Sequence, residues 1–198
     1  DYDRWANEEG AEGWSFQEIQ QYFLKSEGNS VLSGEWHGSE GPLGVSNLQD
    51  PQEMTRAFVR SCQELGVPYN PDFNGAKQEG CGFYQLTVKN SKRCSAAVGY
   101  LRPAMKRSNL TVDTNVLVHR VIVKSGRAVG VEYAQNGAMH TVNANSEVII
   151  TAGAIGSPKL LMLSGIGPAD HLASLGLDVV HNLSGVGKNP VSYTHLTL

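Results

Sequence analysis

The chain has 198 residues, 40% hydrophobic and 18% charged, a balance typical of a water-soluble fold with one large core or two small ones. Its net charge of -3 leaves no cationic excess for a polyanion, which argues against nucleic acid as a partner. No stretch reaches the about 18 consecutive apolar residues that cross a bilayer, so no transmembrane segment is expected.

The chain opens on Asp1 rather than Met, and its acidic start, DYDRWANEEG, lacks the features of a secretory signal. It therefore reads as an internal piece of a longer protein. The first helix is expected after Ser15, with Phe16, Ile19, Tyr22 and Phe23 at helical spacing and Ser15 and Glu18 forming a capping box. Gly28 to Gly41 is rich in Gly and Ser and reads as an exposed loop. Asp50-Pro51 starts a second helix, with Met54, Phe58, Cys62 and Leu65 on one face and Gly66 as its stop.

Val67 to Arg93 has no clean period and is expected to be a long irregular loop, of the kind that often carries function. Within it, the basic run Lys89 to Arg93 reads as a solvated turn. Ser95 to Leu101 is short and apolar, and a helix there should stop before Arg102-Pro103.

From Leu110 the hydrophobic period changes to two. Strands are expected near Leu110–Asp113, Val116–Val123, Ala128–Tyr133, His140–Val142 and Val148–Thr151, with turns at Ser125-Gly126 and Asn136-Gly137. The order is helices first, then an antiparallel meander, then a strand feeding a helix. That order predicts a mixed α+β and α/β fold.

Val148 to Gly167, VIITAGAIGSPKLLMLSGIG, carries the most chemistry. Val148-Ile149-Ile150 reads as a strand buried on both faces. It ends in Thr151-Ala152-Gly153-Ala154, whose small side chains let a ligand approach the main chain, and Ser157-Pro158 then opens a helix. A strand, a small-residue turn and a helix start can hold a nucleotide at the end of an open sheet. Geometry alone gives equal weight to a tight strand–helix connection without a ligand. Gly185 to Lys188 resembles a phosphate loop only superficially, since Asn182 stands at its first required glycine. Gly165-x-Gly167 reads as a helix-ending turn.

Gly153 to Gly167 resembles the second signature of the glucose-methanol-choline (GMC) oxidoreductases. The match holds at Gly153, Ala154, Ser157, Pro158, Leu160, Leu161, Ser164, Gly165, Ile166 and Gly167. Asp1 to Trp5, Gly13-Trp14-Ser15, Tyr22-Phe23, His37-Gly38, Gly41-Pro42, Asn74-Gly75, Arg93-Cys94-Ser95 and Tyr100-Leu101 resemble landmarks of bacterial choline-dehydrogenase-like members, in order. Gly185 to Asn189 looks like the family's approach to a Leu-x-Asp-His stretch.

The resemblance implies FAD as cofactor, an alcohol as substrate, and hydride transfer to the flavin, with oxygen or a quinone as the eventual acceptor. It implies part of an FAD-binding Rossmann-like sheet in residues 110–189. Residues 1–109 would span FAD-linked and substrate-domain segments. The family's catalytic His and its His or Asn partner would lie beyond Asn189, and its glycine fingerprint ahead of Asp1, so no residue here is assigned catalysis. The cofactor-side residues it implies are Val118, whose backbone would meet the adenine, and Thr151, Ala152 and Gly153 beneath the adenosine end. Gln78, Glu79 and Tyr84 are the substrate-side candidates. Alone, the piece is expected to be inactive, to bind little FAD, and to expose part of its core face. A lyase or an inert scaffold on the same fold remains the alternative.

Cys62, Cys81 and Cys94 lack CxxC spacing and cannot all pair, which suits reduced thiols in the cytoplasm. Asn109-Leu110-Thr111 and Asn182-Leu183-Ser184 would become glycosylation acceptors only in a secreted protein. The histidines sit without helical i, i+4 pairing beside a carboxylate, so no metal site is expected. The tail Val191 to Leu198, VSYTHLTL, reads as one translation frame of a transposase sequencing adapter, with Pro190 formed at the junction. Residues 190–198 are therefore expected to lie outside the natural fold.

Overall fold

In a computed structural model, which describes residues 1–188, the chain divides into two units, Asp1–Val112 and a second that begins at Asp113. The expectation for residues 190–198 lies outside the described residues.

The first unit opens with helices α1, Tyr2–Asn7, and α2, Phe16–Ser26. The capping box forms at α2: the Glu18 carboxylate accepts the Ser15 backbone N–H at 3.0 Å and its hydroxyl at 2.6 Å. These bonds hold Glu18 below the usual carboxylate range, the Ser15 hydroxyl contributing most. The chain then enters β1, Glu27–Asn29, which pairs in parallel with β2, Leu43–Val45.

Gly28 to Gly41 was expected to be an exposed loop, yet Asn29 and His37 within it are buried. Glycine makes this fold-back feasible: a Cβ on Gly38 would strike the carbonyl oxygen of Leu24. Helix α3, Glu53–Glu64, runs between the expected limits, with Gly66 just beyond it at φ +87°. Its expected apolar face is a correction. The helix buries Val59, while Met54, Phe58 and Leu65 are 78%, 67% and 86% exposed. The Cys81 thiol, against the Val59 carbonyl, marks the packed side.

The irregular Val67–Arg93 region contains one small hairpin, β3 (Val88–Lys89) against β4 (Lys92–Arg93). Asn90 and Ser91 turn it at φ 52° and 58°, so the basic run is indeed a turn. The helix expected to stop before Arg102-Pro103 instead runs through it, as a π-helical turn, Ala97–Leu101, continuing into α4, Arg102–Ala104. The wider register bonds the Arg102 N–H to the Ala97 carbonyl, so Pro103, which has no N–H, falls where a new first turn needs none.

The second unit is built on an antiparallel meander: β5 (Leu117–Lys124), β6 (Arg127–Gln135) and β7 (Ala138–Asn143), in that spatial order. Both expected turns form, with Ser125-Gly126 at φ 49° and 77° and Asn136-Gly137 at 52° and 80°. Positive φ at both central positions matches the right-handed twist of the flanking strands. Two expected strands do not form: Leu110–Asp113 and Val148–Thr151 have no ladder partner among the described residues. An apolar strand of the second kind needs neighbours on both edges, and Ile149 stands 75% exposed without them.

Helix α5, Gly153–Leu163, follows. It starts earlier than Ser157-Pro158 predicts, and Pro158 lies inside it. Ser157 still supports the helix start, since its Oγ accepts the Ala152 N–H at 3.0 Å. Past α5, Gly165 turns the chain at φ +80°, as expected of a helix-ending glycine. A short parallel pair follows, β8 (Ile166–Gly167) with β9 (His181–Asn182), and α6, Ala169–Ser174, lies between them in sequence. Val121, Leu172 and Val186 are the buried apolar side chains among the described residues of this unit.

Candidate functional site

A groove of about 990 Å³ runs between the meander and α5. β5 contributes Val118, which pairs with Tyr133 of β6; the register then slips before Arg120. Such a slip turns the strand locally and re-aims the side chains beside it. Val131 and Val142 add apolar wall from β6 and β7. Opposite them lie the extended Val148–Ile150, then Thr151 and Ala152, and finally Gly156 and Leu160 on α5. His119, Glu147 and Lys159 are the ionisable groups of the lining.

The structure thus brings Val118, Thr151 and Ala152 to one groove. Gly153 follows at the mouth of α5 and is not part of the lining. It enters the helix at φ +85°, a conformation that favours glycine, and a Cβ there would meet nothing within 4 Å. The first amides of α5 have no earlier helical carbonyl to bond, so the helix start presents donors beside the turn.

The substrate-side candidates lie in the first unit and do not come together. Gln78 lines a cavity of about 600 Å³ with Phe16, Trp36, His37 and Phe73. Glu79 and Tyr84 are exposed and outside that lining. Tyr84 packs on Phe73, with ring centroids 5.0 Å apart.

Sequence reasoning missed the polar cluster behind this cavity. His37, 6% exposed, faces Glu27 through Nδ1 at 3.1 Å and Asp72 through Nε2 at 3.0 Å. Asn29, 4% exposed, donates to Glu27 at 2.9 Å and to Gln85 at 2.7 Å. No local motif joins positions 27, 37 and 72, and only a His beside glycines in an otherwise polar loop hinted at burial. No group of three His, Cys, Asp or Glu close enough to hold a metal ion occurs among the described residues. No helix of the described residues is long and apolar enough to cross a membrane.

The groove, its small-residue turn and the helix behind it form an apolar cleft with the α5 start at its mouth. The chain belongs to the GMC oxidoreductase family, whose N-terminal profile matches residues 1–194. It is 46% identical to mitochondrial choline dehydrogenase of Homo sapiens over 189 residues, 96% of this chain and 32% of that protein. It is also 46% identical over 193 residues to oxygen-dependent choline dehydrogenase of Photobacterium profundum, covering 96% of this chain and 34% of that one. Among solved structures, an FAD-dependent oxidoreductase from Chaetomium thermophilum superposes with a TM-score of 0.83 at 26% identity, over 93% of this chain and 34% of that chain. The chain spans about a third of the length of the curated relatives it matches.

Proposed function

We propose that the full-length protein is an FAD-dependent oxidoreductase that oxidises an alcohol of the choline type, and that this chain supplies the seat for the adenosine end of the cofactor. The observation that carries the reading is the convergence of Val118, Thr151 and Ala152 on one apolar groove at the start of α5. The residues fit such a group. The valine walls suit a flat heteroaromatic ring, and the small turn gives access to main-chain donors and acceptors. The donors at the mouth of α5 suit the negative charge of a nucleotide.

Val118 would hold the adenine through its backbone, and Thr151, Ala152 and Gly153 would form the floor below the adenosine. Residues 110–189 would belong to the FAD-binding domain, with Val148–Thr151 becoming a strand of a Rossmann-like sheet once flanked by other strands. That assignment is supported by its run of β-branched residues and its place between the meander and α5. Residues 1–109 would span FAD-linked and substrate-domain segments, with Gln78, Glu79 and Tyr84 on the substrate side. Bound FAD supplies the two-electron acceptor for the hydride of the alcohol carbon. No residue of this chain is assigned as the base. The family names of the relatives support choline as the first substrate to try, with the electron acceptor left to experiment. The free thiols of Cys62, Cys81 and Cys94 favour a cytoplasmic, reducing setting.

The test is the full-length protein, purified with its flavin and mixed anaerobically with choline. Bleaching of the flavin band by choline supports the reading, and Val118→Glu should raise the Kd for FAD by about tenfold or more, because it brings a carboxylate to the groove. Colourless protein that takes up no FAD, or flavin binding indifferent to Val118→Glu, would overturn it.

A further inference from the structure

We propose that protonated His37 is a proton-operated tie that holds the 71–80 loop to the β1 segment and releases it when the ring loses its proton. The inference is independent of the proposed reaction and rests on geometry. Nδ1 lies 3.1 Å from both Glu27 oxygens, and Nε2 lies 3.1 Å and 3.0 Å from those of Asp72. A neutral imidazole has one N–H, so in either tautomer one carboxylate would face a ring lone pair. Only the imidazolium donates to both.

The other groups at the cluster are neutral donors: Asn29 Nδ2 and the Gly38 N–H toward Glu27, and the Asn74 N–H toward Asp72. Among the described residues, no lysine or arginine pairs with either carboxylate. The ring is therefore the cation that offsets them, and its loss leaves two half-buried carboxylates facing a neutral ring. Burial by itself disfavours the charged ring, but hydrogen bonds and then fields from Glu27 and Asp72 outweigh it and raise the pKa above the ordinary value.

The loop carries one polar tie toward β1. Asn70, 8% exposed, closes it from within: its amide donates to the Lys77 and Glu79 carbonyls, and its Oδ1 accepts the Asp72 N–H. Among the described hydrogen bonds, Asp72 to His37 is the link from residues 71–80 to β1 and its flanks. Deprotonation thus frees the loop's outer span while the Asn70 end stays anchored. Phe73, Asn74 and Gly75 lie on that span and His37 on the wall of the same cavity, so release alters access to it.

Hydrogen exchange by mass spectrometry on the full-length protein, corrected for the intrinsic pH dependence, reads this directly. Protection of the Asn74 amide, which donates to the Asp72 carboxylate, should fall by about tenfold per pH unit from about pH 6.5 up to the raised pKa of the ring, then level off. His37→Gln should show low protection with no pH step. Should that variant fail to fold, Asp72→Asn, which keeps the Glu27–His37 pair, should lose most of the step. Flat wild-type protection across that range, or an undiminished step in Asp72→Asn, would overturn the proposal.

Discussion

Ser164 accepts the buried backbone N–H of Val121 at 2.8 Å while its own hydroxyl donates to the Leu160 carbonyl at 2.6 Å. One side chain thereby ties the C-terminal end of α5 to the middle of β5. Those two elements carry Leu160 and Val118 on opposite walls of the groove. Ser164 pins the turn after α5 to the strand that carries one wall.

Ser164→Ala removes the acceptor and leaves the Val121 N–H buried without a partner, which should cost about 1–3 kcal/mol of stability. Denaturant unfolding of the full-length protein measures it. An unchanged midpoint would show that the bond is dispensable.

Gly153 separates backbone strain from steric contact. Its φ is +85° and a Cβ would meet no neighbour, so Gly153→Ala should cost about 1 kcal/mol from the backbone alone. Gly153→Val should cost more, because a β-branched side chain tolerates that conformation poorly. If the turn seats the cofactor, both variants should also release FAD on dialysis faster than the parent. A valine variant as stable as the alanine one would contradict the strain argument.

Local chemistry made much of this fold legible. Ser15 with Glu18, and the pairs Ser125-Gly126 and Asn136-Gly137, encode their caps and turns within a few residues, and each forms. Val148–Thr151 and the Met54 face of α3 show the limit of such reasoning. Their patterns describe burial against partners, and no described element covers them. The His37 cluster was illegible for another reason. Its members are 10 and 35 positions apart, and only the β1–β2 fold-back and the Asn70 loop bring them within hydrogen-bond reach. In the groove, resemblance singled out Val118, Thr151 and Ala152, while wall residues such as Val131 and Val142 emerge only once the meander closes.

Gln78 and Tyr84 should behave differently in steady-state kinetics of the full-length protein. Gln78 lines the first unit's cavity, whereas Tyr84 is 71% exposed and braces Phe73 from outside the lining. If that cavity admits substrate, Gln78→Ala should raise KM by about 3- to 30-fold with flavin content unchanged, the loss of about one hydrogen bond. Tyr84→Ala should act weakly, through Phe73. Equal KM values for the parent and Gln78→Ala would remove Gln78 from the substrate side.

The raised pKa of His37 fixes the sign of a pH effect on overall stability. Burial opposes the charge, but Glu27 and Asp72 hold the proton more tightly than the unfolded chain does. The ring's contribution is then complete below its unfolded pKa of about 6.5 and is lost as pH climbs through the folded value. Comparing the parent with His37→Gln isolates that contribution from the rest of the titrating chain. The gap in Tm between them should be widest near pH 6 and should narrow steadily on the alkaline side. A gap that widened with rising pH would mean that the folded cluster binds fewer protons than the unfolded chain, with the native ring neutral and both carboxylates ionised.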